Sequence, residues 1–377
     1  MRVEPDVVAE RVREAAAAGR RLFPRGSGRW WPDPPSEAAL LDLRSIDSIS
    51  RLDVADLVVT VGAGCTLETL SSQLGGQGAW LALDPPGSSA RTLGGVLAAG
   101  GAGPLAAGYG PPRDQVLGLT VVAGNGTVVR IGGRVVKNVA GFDLGKVVIG
   151  GHGGFGVITE AHLRLRARAG ADTTRAWTGS LAAVSAASSR LLRSGAAPAA
   201  FKVMGPALAA TMGYENAWVV ALRAIGTAPG VTEELDAAAS TVTSNHDCRE
   251  IASAPWEGWR EAFGARPVVL RIGADPESWP DAAALGRGHL GDGVATSVTV
   301  PRGTVRLGAD VAPVRSLLAL RADAARRGWP VTLERADAPT REAVGVWGAL
   351  GTGVRRLTDA LRSTFDPNGV FAVPLVV

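Results

Sequence analysis

The sequence predicts an α+β protein with more than one lobe, and three observations carry that prediction. Glycine is concentrated in one central stretch, residues 92–160, where it alternates with short apolar runs such as 117–122 and 147–149. Helical and strand-like periodicities alternate on both sides of that stretch. At 377 residues the chain is long enough for two or three domains with cores that need no staples.

The elements follow in order. Val7, Val8, Val12 and Ala15 recur at helical spacing over residues 4–19, and Gly19 is placed to end that helix. Residues 20–24 read as a short strand that enters the loop Arg25, Gly26, Ser27, Gly28, whose backbone amides could meet an anion. The loop has neither Walker nor GxGxxG spacing. Residues 40–43 and 57–61 read as buried strands, and 66–74 as a helix capped by Thr66. Residues 81–87 are extended and end in a Pro-Pro-Gly turn that leads to Thr92, Gly94 and Gly95. In the glycine-rich stretch the main chain must approach something closely or adopt positive φ. Turns in an ordinary sheet and a cradle of N–H groups for a phosphorylated cofactor are both consistent with that.

Beyond Glu160, residues 161–168 alternate as a strand and 169–174 read as a linker. Helices are then expected over 181–192 and 231–242, and strands over 200–203, 217–222 and 248–251. The alternation continues with strand segments at 268–272, 298–307 and 331–334 and a helix over 314–327. This is the pattern of an α+β cap built from ferredoxin-like units. Residues 347–365 form a final amphipathic helix.

Composition excludes several classes. The chain has 39 Lys+Arg against 35 Asp+Glu, but the basic residues are scattered arginines with no basic, aromatic-interleaved run, which argues against nucleic-acid binding. No apolar run reaches the length of a membrane span, and the first 20 residues lack the pattern of an export signal, so a cytoplasmic setting is expected. Cys65 and Cys248 are the only cysteines, too few for a disulfide framework or an iron–sulfur cluster of the chain's own, and no His, Asp or Glu cluster has metal-ligand spacing. Lysine occurs only at 137, 146 and 202, twice inside the glycine-rich stretch.

The Pro-Arg-Gly-Ser-Gly loop, the Val-Gly-Ala-Gly strand end, Leu-Asp-Pro-Pro, the run Thr92 to Gly103, Arg113-Asp114 and residues 153–160 stand in an order that resembles the FAD-binding domain shared by vanillyl-alcohol oxidase and p-cresol methylhydroxylase. Residues 134–146 are similar to the FAD-binding subunits of bacterial glycolate oxidase, and the resemblance runs through to residues 365–371. It implies a two-lobed, p-cresol methylhydroxylase-type FAD-binding domain over 1–168, an α+β cap over 169–338, and a helix and tail over 339–377 that return to the FAD domain. It further implies an FAD-dependent oxidoreductase acting on a small 2-hydroxy acid, beside a second FAD subunit and an iron–sulfur subunit, with any membrane association made through those partners. A stand-alone flavin oxidase or dehydrogenase of a sugar or alcohol, and a structural subunit that keeps the fold while chemistry occurs elsewhere, stay open.

The resemblance places Arg25, Gly26, Ser27 and Gly28 on the cofactor diphosphate. It places Gly87, Thr92, Gly94, Gly95 and Gly103 along the cofactor, and Gly156, Val157 and Ile158 at its adenine side. Members of the superfamily often tether FAD through a histidine in the first loop. Here that loop has no His or Cys, so noncovalent FAD is expected. Lys137 could stabilise the reduced flavin by its fixed charge or simply pair with Asp143. Oxidation of a 2-hydroxy acid needs a cation for the carboxylate, and Arg113 and Arg335 are the candidates, while no convincing base is evident. His152 could face the flavin or fill space.

Overall fold

The computed structural model of the chain describes residues 5–31, 33–35, 37–134, 144–243, 247–373 and 375. The helix Pro5–Ala17 forms where expected and buries Val8, Ala9, Val12 and Ala15. Its chain reverses at Gly19, whose φ is +59°. Strands β1 (Arg21–Arg25) and β2 (Ala38–Asp42) pair in parallel. Strands β3 (Ile49–Asp53) and β4 (Val58–Gly62) are antiparallel. The helix Leu67–Gly75 follows, capped by the Thr66 hydroxyl, which accepts from the Thr69 amide at 3.1 Å. The short strand β5 (Ala79–Trp80) precedes β6 (Val116–Val122), β7 (Val128–Gly132), β8 (Val157–Arg164) and β9 (Arg166–Ala167).

One sheet has the order β3-β4-β8-β6-β7, and β5 pairs with β9 beside it. Val59, Val61, Leu119, Ala161 and Leu163 point from that sheet into a core shared with Leu70, Leu74, Leu93, Val96 and Leu97 of two helices. Residues 147–149, apolar and β-branched enough to suggest a strand, belong instead to a short helix, Gly145–Val148, and the turn after it. A strand there would need a ladder partner, whereas this turn closes on itself through the bond from Ile149 N–H to Gly145 C=O.

The second sheet is made of β10 (Ala171–Gly179), β11 (Ala200–Met204), β12 (Trp218–Gly226), β13 (Cys248–Ile251), β14 (Val268–Gly273), β15 (Ala295–Thr299), β16 (Thr304–Ala309) and β17 (Val331–Arg335). Its order is β13-β10-β12-β11-β15-β16-β14-β17. Each half repeats strand, helix, strand, strand, helix, strand with the spatial order 4-1-3-2, the ferredoxin-like arrangement. The halves join edge to edge where Lys202, Val203 and Met204 pair with Thr299, Val298 and Ser297. The expected linker at 169–174 is therefore mostly the start of β10, because its polar Asp172, Thr173 and Thr174 lie on the exposed end of a strand that still has a full ladder partner in β12. The segment 298–307 is a hairpin, turned by Val300–Arg302 and by Gly303 at φ +57°.

The helices Leu181–Arg193, Ala228–Thr243, Trp279–Leu290 and Val314–Ala325 cover one face of this sheet. The other face carries Met204, Val219, Ala221 and Val269, which pack with Trp30, Trp259 and Phe263. Trp30 comes from the N-terminal region, so this face meets the first lobe.

The end of the chain runs back beside β1. Leu22 donates to Val370 C=O at 2.7 Å, Ala372 donates to Leu22 C=O at 2.9 Å, and Phe371 is fully buried with Val8 and Val12. Buried Asp366 fixes this return by accepting from the amides of Val370 and Phe371 at 2.8 and 2.9 Å. Asp366→Ala leaves both amides without an acceptor, so a loss of about 2–4 kcal/mol is expected, read as a lower urea midpoint at an unchanged denaturant slope.

Candidate functional site

Strand β1 delivers the loop 25–28 against the N-terminus of the helix Leu93–Ala99. Thr92 occupies the N-cap position of that helix in extended geometry, yet its hydroxyl makes no capping bond. It lies against Gly26 instead, where a Cβ added to Gly26 would fall 1.9 Å from Thr92 Oγ1. Gly94 is excluded from bearing a side chain in the same way, since its Cβ would lie 2.7 Å from that of Ala63. The loop backbone at Gly26 thus rests on the Thr92 side chain, and the helix start at Gly94 rests on Ala63.

Two contiguous hollows run along this junction and share Pro24, Gly26, Thr92, Gly95, Ala98 and His152. One extends to Arg25, Ser27, Gly28, Arg29 and Arg91. The other extends to Gly94, Gly156, Val157 and Ile158. Among the described residues no acceptor takes the N–H groups of Gly26, Ser27 or Gly28. Unpaired amides in a loop flanked by arginines are the donor set that a diphosphate requires.

The middle of the groove is lined by aromatic rings and cations. His152 is buried with a left-handed φ of +52°, held by its N–H bond to Ala98 C=O at 2.8 Å. Its imidazole stacks on Trp31 with centroids 4.9 Å apart and planes 9° from parallel, and Arg341 lies 4.8 Å from the Trp31 ring. Burial, aided by Arg271 and Arg91, pulls the His152 pKa down to about 3, so the ring is neutral at physiological pH. Trp30 sits between Arg91 at 4.4 Å and Arg335 at 5.6 Å. Burial lowers Arg91 to about 9.

The facing side of the eight-stranded sheet carries charges on four strands. Arg306 of β16 holds Glu334 of β17 through two bonds of 2.7 and 3.1 Å, and Arg271 of β14 adds a contact of 3.1 Å. Burial alone would raise the Glu334 carboxyl, but the two guanidiniums keep it below its ordinary value. Lys202 of β11 is fully buried, donates to Thr299 Oγ1 at 2.7 Å and lies 4.6 Å from the Trp259 ring. Burial and the Arg306 charge depress its pKa well below normal. On the first lobe, half-buried Asp84 accepts from the Leu105 amide, and desolvation raises it to about 7.

The structure brings Gly26, Ser27, Gly28, Arg25, Thr92, Gly94, Gly95, Gly156, Val157 and Ile158 into one continuous groove. Gly87, with φ +93°, and Arg335 line a separate hollow of about 500 Å³ that also touches Gly28 and Arg29. Gly103 has a packing reason of its own, because a Cβ there would overlap the main chain of Asp84. Arg113 sits on the short helix Pro112–Gln115, its side chain half exposed and 3.7 Å from Asp114. Lys137, Asn138 and Asp143 lie outside the described residues. Sequence reading passed over Lys202, Arg271, Arg306 and Glu334. Three of them carried a signal, since Lys202, Arg271 and Arg306 are lone charges in the largely apolar strands AFKVM, VVLRIG and TVRLGA, whereas Glu334 stands beside Arg335 in VTLER.

The fold is the two-lobed α+β arrangement of the p-cresol methylhydroxylase type. A solved p-cresol methylhydroxylase superposes with a TM-score of 0.77 over 98% of this chain and 86% of its own, at 16% identity, a likeness of fold alone. Residues 4–132 match the FAD binding domain family, so the chain carries an FAD binding domain and FAD is its cofactor. Glycolate oxidase subunit GlcE of Escherichia coli is 36% identical over 162 residues, 42% of this chain and 46% of that protein. Glycolate oxidase subunit GlcD of Bacillus subtilis is 33% identical over 147 residues, 38% of this chain and 31% of that protein. The chain thus matches less than half the length of either relative. Among the described residues no helix is long and apolar enough to cross a membrane, and no group of three metal-ligating side chains comes together.

Proposed function

We propose that this chain is the FAD-binding subunit of a glycolate oxidase-like dehydrogenase, which oxidises a small 2-hydroxy acid and passes the electrons to partner subunits. The observation that carries the reading is the row of unpaired amides at Gly26, Ser27 and Gly28, which opens into a groove running to Gly156, Val157 and Ile158. In this reading the loop takes the cofactor diphosphate, with charge from Arg25 and Arg29. Gly94 and Gly95 let the cofactor lie close to the helix start, and the residues 156–158 flank its adenine. FAD, when bound, supplies the two-electron acceptor.

The relatives named glycolate oxidase subunits support the substrate class. Carboxylate anchoring falls to Arg335, which lines the hollow of about 500 Å³ beside Gly28 together with Arg29 and Arg260. Arg335 is steadied there by its bond to Gly264 C=O and by the Trp30 ring. Arg113, engaged by Asp114 at the surface, is the weaker candidate. Lys137 is assigned the fixed positive charge that favours reduced flavin. His152, buried, neutral and stacked on Trp31, serves as part of the groove wall, because a ring held that far below its ordinary pKa is a poor proton acceptor. The cytoplasm is the proposed compartment, with a second FAD subunit and an iron–sulfur subunit as electron acceptors.

The loop Arg25, Gly26, Ser27, Gly28, Arg29, Trp30, Trp31 offers no histidine or cysteine to form a bond to the flavin. The purified chain is expected to be yellow, to release all of its flavin into the supernatant on acid precipitation, and to be bleached by glycolate under anaerobic conditions when its partners are present. Bleaching by glycolate without partners would favour a self-contained enzyme. A colourless chain that takes up no added FAD would overturn the proposal.

A further inference from the structure

The helix Thr352–Phe365 carries one apolar residue per turn on a single stripe, Val354, Leu357, Leu361 and Phe365. Burial falls away along that stripe. Phe365 is in the core with Phe155 and Val373, Leu361 is half-buried, and Leu357 and Val354 are 62% and 56% exposed. Among the described residues nothing covers the apolar side of the first two turns. The stripe is continuous with the cluster that contains Trp31, the ring stacked on His152 in the flavin groove.

We propose that this uncovered stripe is the docking surface for a helix of a different protein chain. Resting on the subunit reading above, that chain is a partner that exchanges electrons with this flavin. Three features select the occupant. The stripe is one residue wide, with spacings of three and four, which suits a single packed helix rather than the broad apolar face that a lipid surface needs. Arg355 and Arg362, seven residues apart, run along one flank, while Ala360 and Thr364 line the other. A partner helix therefore presents an apolar seam with carboxylates on the arginine side and packs closely against the small residues. A second copy of this helix would bring arginines with it, since Arg355, Arg356 and Arg362 outnumber Asp359.

The test uses the full flavin-loaded chain and the GlcD-type subunit from the same organism, with binding followed by calorimetry. The wild-type chain is expected to bind one partner. Leu357→Asp and the double variant Arg355→Glu/Arg362→Glu should each weaken binding at least tenfold without loss of FAD or of thermal stability, because these side chains contribute little to the body's own core. Unchanged affinity in both variants would overturn the proposal, as would a wild-type chain that ignores this partner. It would fall equally if wild-type chain sedimented with phosphatidylglycerol vesicles and Leu357→Asp did not, or if the substitution dissolved a homodimer. Failure here with retained glycolate bleaching would remove the docking surface and leave the functional reading intact.

Discussion

A Gly26→Ala chain is expected to fold and to emerge without flavin, with FAD affinity reduced about 100-fold, roughly 3 kcal/mol. The backbone at Gly26 is not left-handed, so alanine meets no conformational penalty there. The loss comes from contact, because the new methyl would stand 1.9 Å from Thr92 Oγ1 and 2.9 Å from Thr92 Cβ. The loop must then lift away from the helix Leu93–Ala99, which turns the amides of residues 26–28 out of register with a bound diphosphate. Titration of apo-protein with FAD, followed by flavin fluorescence, reads the effect. Adding Thr92→Ala removes the hydroxyl and the γ-methyl but leaves Cβ, so the double variant should recover part of the affinity. Gly133→Ala meets nothing within 4 Å and should bind FAD as the wild type does. Full affinity in Gly26→Ala would mean that the diphosphate is held elsewhere.

How far the sequence disclosed this molecule depended on whether its signal was local. The loop after β1, the Thr66 cap and the glycines around Thr92 were readable because backbone geometry there is set by residues within a few positions of one another. The ferredoxin-like pattern was readable because strands and helices alternate. The edge-to-edge joining of the two units was not, since pairing of Lys202 with Thr299 spans 97 residues and leaves no mark on either segment alone. The same limit hid the charged face of the sheet. Lys202, Arg271, Arg306 and Glu334 are far apart in sequence and become one cluster only when the five strands β11, β15, β16, β14 and β17 are laid side by side. Residues 147–149 show the reverse error, in which β-branched composition outweighed the absence of a ladder partner.

That cluster carries the other large expected effect. Glu334→Gln should destabilise the protein by about 3–5 kcal/mol at neutral pH, because it leaves Arg306, only 3% exposed, without the carboxylate that compensates it. The side-chain shape survives, but glutamine offers one acceptor oxygen where Glu334 offers two, so the loss combines the uncompensated guanidinium with one lost acceptor. Arg306→Met added to Glu334→Gln should therefore regain part of the stability, where two independent defects would add. The pH dependence follows from the directions of the shifts. Glu334 has a folded pKa below its ordinary 4.5, so its contribution is fully present above that value and is lost as pH falls through the folded pKa. His152, lowered from 6.5 to about 3, acts in the same direction, since the unfolded chain takes up its proton first as pH drops below 6.5. Asp84, raised from 3.8 to about 7, acts the other way, since the folded chain takes up its proton first between those values, so wild-type stability should change little from pH 6.5 to 4.5 and decline steeply below 4.5. Glu334→Gln should keep the flat region and lose much of the steep decline, in urea midpoints measured from pH 7 to pH 3.5. A variant with the wild-type midpoint throughout would mean that Arg306 finds another acceptor, and the sheet face would then be a place where charge is tolerated rather than organised.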